Sequence, residues 1–178
     1  MIRSFTGLNV FLDYDHEGNA RSSIGLEMRN AVLDFAFNNY FGLDDADGEK
    51  VLDGYDLRLA SQIPYLHWAD IFVNSYSWDG VKRDDVEGVA YGLDLSLTPN
   101  FQLEYAYDDK DKKGLEDEYY VKLIFVHPPK EGPTLGDGFS SEMWRSKTDM
   151  SGELLTKVKR NNKIFVEFAG NATISRLD

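Results

Sequence analysis

From residue 8 to about residue 127 the chain alternates large apolar and small or polar positions with a period of two, interrupted at intervals by clusters of Asp, Gly and Asn. That period puts successive side chains on opposite faces of an extended backbone, so it predicts a series of β-strands. The first covers residues 8–15, where Val10, Leu12 and Tyr14 alternate with Asn9, Phe11 and Asp13 before the turn His16-Glu17-Gly18-Asn19. Residues 21–29 follow, with Ile24, Leu26 and Met28 on one side, and then residues 32–43, with Leu33, Phe35, Phe37, Asn39 and Phe41 on one side. Only Asn30 and Ala31 separate these two, which predicts a tight hairpin. Further strands are expected at 54–63, closed by Pro64, at 69–78, at 89–97, at 101–108 and at 118–127, closed by Pro128-Pro129. About eight strands result.

The clearest pair decides between two kinds of β-protein. Val89, Tyr91, Leu93, Leu95 and Leu97 oppose Ala90, Gly92, Asp94 and Ser96, and Phe101, Leu103, Tyr105 and Tyr107 oppose Gln102, Glu104, Ala106 and Asp108. One face is uniformly large and apolar and the other small, polar or acidic, as expected where lipid lies outside and a polar lumen inside. Connections also alternate between short (30–31, 64–68, 98–100) and long and acidic (44–52, 79–86, 108–117), the habit of membrane barrels. The fold expected is therefore all-β, an antiparallel up-and-down transmembrane β-barrel. Val89, Leu93, Leu95 and Leu103 are expected to face lipid, and Tyr91, Tyr105 and Tyr107 to sit at the membrane interface. Tyr14, Tyr65, Trp68, Trp78 and Tyr119, near strand ends, are candidates for the same belt. Asp13, Arg29, Asp56, Arg58, Asp94 and Glu104 are expected to face the lumen, with Asp56 and Arg58 offsetting each other's charge. A soluble, lipocalin-like ligand-binding barrel is the alternative; it needs the opposite polarity, apolar inside and polar outside.

After residue 127 the character changes. Residues 128–139, rich in Pro and Gly, predict a loop; residues 140–162 predict a charged helix at the barrel opening, capped by Ser140 or Ser141, with Met143, Trp144, Met150, Leu154, Leu155 and Val158 as an incomplete apolar stripe. Such a helix could plug the barrel or merely cover its opening. Residues 163–178 predict an extended linker, and residues 1–127 are the strand region.

Composition narrows the chemistry. The formal charge of -12 over 178 residues excludes a phosphate-binding, nucleic-acid partner in the usual sense. The sequence has no cysteine, which excludes disulfides, thiolate metal sites and thiol catalysis. His16, His67 and His127 lack metal-ligand spacing, and Asp45-Ala46-Asp47-Gly48-Glu49 lacks the acidic positions of a calcium loop, so neither metal nor cofactor is expected. Asp13 and Asp15 are two apart, but no histidine or cleft signal accompanies them, and no enzymatic activity is expected. Residues 1–7 contain no apolar run, so export predicts a secretory signal upstream.

Several segments resemble the β-domain of inverse autotransporters of the intimin/invasin type. Asn9-Val10-Phe11-Leu12-Asp13-Tyr14-Asp15 followed by Ser23-Ile24-Gly25-Leu26-Glu27 is similar to the family's N-x-F-x-D-x-D and G-x-E strands. In order come Leu33-Asp34-Phe35-Ala36-Phe37-Asn38-Asn39-Tyr40, Gly54-Tyr55-Asp56-Leu57-Arg58, Ile63-Pro64-Tyr65-Leu66, Thr98-Pro99-Asn100 and Val158-Lys159-Arg160-Asn161-Asn162-Lys163-Ile164-Phe165-Val166. The resemblance implies a twelve-stranded outer-membrane barrel, of which the first four strands lie upstream of this chain. It further implies a linker passing through the pore to a surface-exposed adhesive passenger, for which Asp13, Arg29, Asp56, Arg58, Asp94 and Glu104 are the candidate contacts, Asp56 and Arg58 either touching it or merely balancing each other. The partners it implies are outer-membrane lipid, periplasmic chaperones, the barrel-assembly machinery and the passenger's own linker.

Overall fold

The computed structural model describes residues 2–111, 116–145, 149–154, 156–168 and 174–176, with Glu153 and the last three by backbone alone. Eight strands form one antiparallel meander: β1 (Ser4–Tyr14), β2 (Ala20–Asn30), β3 (Leu33–Asp44), β5 (Gly54–Ile63), β6 (Leu66–Trp78), β7 (Val86–Thr98), β8 (Phe101–Lys110) and β9 (Glu118–Phe125). A short β4 (Glu49–Val51) in the β3–β5 connection joins β10 (Phe165–Phe168) and β11 (Ile174–Arg176) in a separate three-stranded sheet. The meander is open: β1 and β9 are its two edges, and no closure into a barrel is seen among the described residues.

The connections sort onto two ends. At one end β2 reaches β3 through Ala31-Val32, β5 reaches β6 through Pro64-Tyr65 and β7 reaches β8 through Pro99-Asn100. Asn30 shapes the first, its side-chain oxygen accepting from the amides of Val32 and Leu33. Thr98 does the same in the third, its hydroxyl accepting from Asn100 and Phe101. The second turns at Pro64 with Tyr65 at φ 64°, the left-handed value a type II turn demands after proline. The longer connections, 15–19, 45–53, 79–85 and 111–117, all lie at the other end; residues 112–115 of the last are outside the described residues.

Two faces differ as the alternation predicts. On β1, Leu8, Val10, Leu12 and Tyr14 are exposed, Leu8 to 81%, while Asn9, Phe11 and Asp13 turn to the opposite, covered face. The exposed face continues through Ile24, Met28, Tyr55, Leu57, Leu59, Ile71, Tyr91, Tyr105, Tyr119, Val121 and Leu123. The covered face holds the buried polar groups Arg21, Glu27, Arg29, Asn38, Asp56 and Glu104. A cluster of Tyr40, Trp78, Leu52 and Val86 sits near its long-loop end, and a second, of Ala60, Phe72 and Ala106 with Tyr120, lies nearer mid-sheet. Gly54 makes room for the first: a Cβ there would lie 2.3 Å from the carbonyl oxygen of Ser77 and 2.6 Å from the Trp78 ring.

The helix expected over residues 140–162 is absent among the described residues. Among the described residues the segment after β9 contains only two single turns of 3-10 helix, Leu135–Asp137 and Ser151–Glu153; residues 146–148 and Leu155 lie outside the described residues. The physical reason is that this chain finds partners across the sheet. Tyr65 donates its amide to Met143 and accepts from that of Ser140, the Trp68 indole donates to the carbonyl of Gly138, and the Arg145 amide donates to the Gln62 side chain. These bonds hold residues 138–145 as an irregular, bent segment at the β5–β6 turn. Within residues 163–178, expected to be extended, the described residues hold β10 and β11; residues 169–173, 177 and 178 lie outside them.

Candidate functional site

Residues 156–163 run in extended form along the covered face, from the short-turn end to the long-loop end. Near the short turns, Arg29 of β2 donates to the Thr156 hydroxyl (2.7 Å) and to the Lys157 carbonyl (3.2 Å), while pairing with Glu27 at 2.9 Å. Further along, the Asn38 amide donates to the Lys159 carbonyl (3.0 Å), and the Lys159 ammonium meets Asp94 of β7 at 3.1 Å. Arg160 turns the other way and forks onto both oxygens of Asp13 on β1, at 2.8 and 2.7 Å. The Asn161 amide donates to the Tyr40 hydroxyl at 2.8 Å, and that hydroxyl donates to Asp56 at 2.6 Å. Arg21 of β2 then donates to the carbonyls of Asn161 (2.9 Å) and Lys163 (2.6 Å).

Beyond this point the chain joins the loops. Val166, Glu167 and Phe168 pair with Val51, Lys50 and Glu49 in antiparallel register, and Phe165 stacks on Trp78 with centroids 4.2 Å apart. The Glu167 carboxylate accepts from the amides of Val81 and Lys82 in the β6–β7 connection. From Thr156 to Lys163 is seven residue steps, about 23 Å of extended chain. That matches the apolar band of an outer-membrane barrel, about 25 Å tall.

All six residues expected to face the lumen lie on the covered face. Asp13, Arg29, Asp56 and Asp94 touch the 156–163 segment directly. Arg58 joins Asp94 at 2.8 Å and Glu104 at 3.7 Å, and Glu104 also pairs with Lys122 of β9 at 2.8 Å. The expected Asp56–Arg58 pairing is a correction. Asp56 is held by Asn38, Tyr40 and Asn161, while Arg58 reaches strands β7 and β8. Val89, Leu93, Leu95 and Leu103 lie on the opposite face, with Tyr91, Tyr105 and Tyr107 beside them. Tyr91 pairs across to Tyr107 and Tyr107 to Tyr119, a row of three rings. Trp78, a candidate for the outer belt, lies instead inside, fully buried against Phe165.

Sequence reasoning missed Arg21, Tyr40, Asn38, Lys159 and Arg160. Arg21 shares odd parity with Arg29 on β2, and Tyr40 shares even parity with Ala36 and Asn38 on β3, so the alternation already placed both on the polar face. The loops at the far end are built from acidic side chains used internally. Asp45 pairs with Lys50 at 2.6 Å and accepts the Val51 amide.

Asp15 organises the β1–β2 turn at that end. Partial burial pushes its carboxyl up, but the Asn19 side chain and the amides of Asn19, Glu17 and Gly18 all donate to it and hold it below 3.8. A depressed folded value means the turn's stabilisation is complete above the unfolded value, about 3.9, and is lost as pH falls through the folded one. An NMR titration of the Gly18 amide is therefore expected to show a midpoint below 3.8; a midpoint above it would show that these bonds do not persist in solution.

A charged, chain-filled inner face with an apolar outer face is the inverse of a soluble ligand-binding barrel. The sequence matches the family described as "Inverse autotransporter, beta-domain" over residues 3–162. The chain belongs to the inverse autotransporter β-domain family. That family is one of outer-membrane β-domains that anchor and transport, and is not a class of enzymes. The match extends through Arg160 and Asn161, so the extended segment is part of the inverse autotransporter β-domain and not an appendage to it. No curated protein matches the sequence significantly. A solved chain described under the words "Unveiling the Mechanism Behind the in-meso Crystallization of Membrane Proteins" superposes with a TM-score of 0.72 at 19% identity, over 93% of this chain and 75% of that one. At that identity the likeness is one of fold.

Proposed function

We propose that this inverse autotransporter β-domain anchors the protein in the outer membrane and conducts its own C-terminal segment from the periplasm to the cell surface, where an adhesive passenger follows. One observation carries this reading: residues 156–163 traverse the polar face from the short-turn end to the long-loop end and emerge to pair with β4. Short turns belong at the periplasmic side of such proteins and long loops outside, so the direction of travel is outward. The charged wall solvates the peptide where water is scarce, while Val89, Leu93, Leu95 and Leu103 face lipid; Tyr105, paired across to Leu93, lies among them, and the Tyr91 and Tyr107 rings lie toward the lipid boundary.

An eight-stranded barrel fills its interior with side chains and leaves no room for a threaded peptide. The open edges β1 and β9 are therefore bridged, on this reading, by four further strands of the same protein. Periplasmic chaperones and the barrel-assembly machinery would deliver the strands to the membrane.

The test is topology on intact cells, with the chain expressed in its full-length context. An epitope placed after Asp178 is expected to bind antibody without permeabilisation, and one placed in the 31–32 turn only after it. Protection of the first epitope on intact cells would overturn the export reading.

A further inference from the structure

Arg160 is the only cation among the even-numbered residues from 154 to 168; Lys157, Lys159 and Lys163 are all odd. In an extended segment, even and odd side chains point to opposite sides. The structure shows this division: Lys159 reaches Asp94 on β7, while Arg160 reaches Asp13 on β1. Asp13 is a built receptor for that one guanidinium. Its carboxylate takes Arg160 bidentately, and Arg21, fully buried, fixes it from the other side at 2.8 Å. Arg160 also lies over the Phe11 ring, with the guanidinium carbon 4.1 Å from the centroid. One residue further, the Asn161 backbone is held at both ends, its amide by Tyr40 and its carbonyl by Arg21.

We propose that Asp13, Arg21, Tyr40 and Asp56 form a peptide-binding clamp that recognises Arg160-Asn161 and stops the outgoing chain in one register. The inference rests on the export reading and adds a stop signal to it. A slip of one residue brings Lys159 or Asn161 level with Asp13 but with its side chain pointing to the opposite wall, reversing every contact of the segment. A slip of two offers Asp13 either Val158 or Asn162, and leaves a buried carboxylate with Arg21 as its sole cation. Neither alternative satisfies the wall, so the clamp holds the chain where Phe165 meets Trp78 and β10 meets β4. The ligand class is an extended peptide carrying a guanidinium followed by a free backbone amide and carbonyl.

The chain has no cysteine, so register can be read by paired cysteines in the full-length protein in membranes. Glu49→Cys with Phe168→Cys reports the observed register, since Phe168 pairs with Glu49. Glu49→Cys with Val166→Cys reports a chain slipped by two. With the clamp intact, the 49–168 crosslink is expected to dominate. Asp13→Asn, and separately Arg160→Lys, should lower the ratio of native to slipped crosslink about tenfold, the scale of one charge-assisted hydrogen bond. Arg160→Lys changes only the threaded segment, so it decides the question if Asp13→Asn fails to assemble. An unchanged ratio in Arg160→Lys would overturn the clamp and assign the register to β10–β4 pairing. The epitope after Asp178 is scored in the same cells: its protection in the parent defeats export, whereas its exposure with unchanged crosslinks defeats only the clamp.

Discussion

Leu93→Arg is expected to block membrane assembly. Leu93 lies at the middle of β7, on the apolar face, paired across to Ile71 of β6 and Tyr105 of β8. In the export reading this is the level of the bilayer midplane, where an arginine on the lipid face costs about 2–4 kcal/mol. A strand in the middle of the meander has no alternative register that hides it, because a shift by one residue would turn Asp94 outward as well. The measurement is heat-modifiable mobility after refolding in detergent, together with the fraction recovered in outer membranes. The parent should run compactly until boiled, and Leu93→Arg should lose most of the compact form; Leu95→Arg should behave alike. Asp111→Arg, in an exposed outer loop, should leave assembly unchanged. Full assembly of Leu93→Arg would mean that this face meets water, and the inner and outer assignments would have to be exchanged.

That experiment bears on what the sequence could reveal. The strands were legible because each separates two contrasting environments, so hydrophobic period two is written strongly into residues 89–107 and 8–15. Facing was legible for the same reason: the alternation puts Asp13, Arg29, Asp56, Arg58, Asp94 and Glu104 on one face of the sheet. Pairing was not. Arg58 finds Asp94 and Glu104 two and three strands away, which depends on how the wall curves and on what it encloses. Trp78 looked like a belt residue because an amphipathic ring at a strand end suits the interface equally well. Its even parity, shared with Phe72 and Tyr76, was the better guide, since it directs the ring inward toward Phe165.

The segment 140–162 departs from its expected helix for a related reason. Residues 156–162 lie against a polar wall, and a chain that buries itself against charge carries no apolar stripe of any period. Its signal is complementarity: Lys159 and Arg160 oppose Asp94 and Asp13, and the backbone itself supplies the remaining partners. A run of cations at 157, 159, 160 and 163 in an otherwise acidic protein was the visible trace of this. Only the partner strands could say which carboxylates it answers.

Arg21 shows how strongly that complementarity is expected to count. The side chain is fully buried near the start of β2, where a bulge between Ala20 and Arg21 shifts the register against β3. Its guanidinium donates to Asp13, to the Asn161 carbonyl and to the Lys163 carbonyl, and stacks over the Tyr40 ring at 4.3 Å. Arg21→Met keeps the length and the apolar stem but removes its donors to the Asn161 and Lys163 carbonyls and leaves Asp13 with Arg160. Breaking a buried charged network from one side costs about 3–5 kcal/mol, and the retained Arg160 fork puts this case toward the lower end. Urea unfolding in detergent micelles, followed by tryptophan fluorescence, is expected to show a loss of about 3 kcal/mol. Trp78 lies within 5.9 Å of the guanidinium and Phe165 stacks on it, so the same signal should report a loosened outer mouth. Arg21→Lys should recover only part of the loss, because one ammonium cannot face a carboxylate and two carbonyls in the plane that the guanidinium spans. A loss below about 1 kcal/mol in Arg21→Met would show that β10–β4 pairing alone holds the emerging chain. The polar wall would then be a solvating surface without grip.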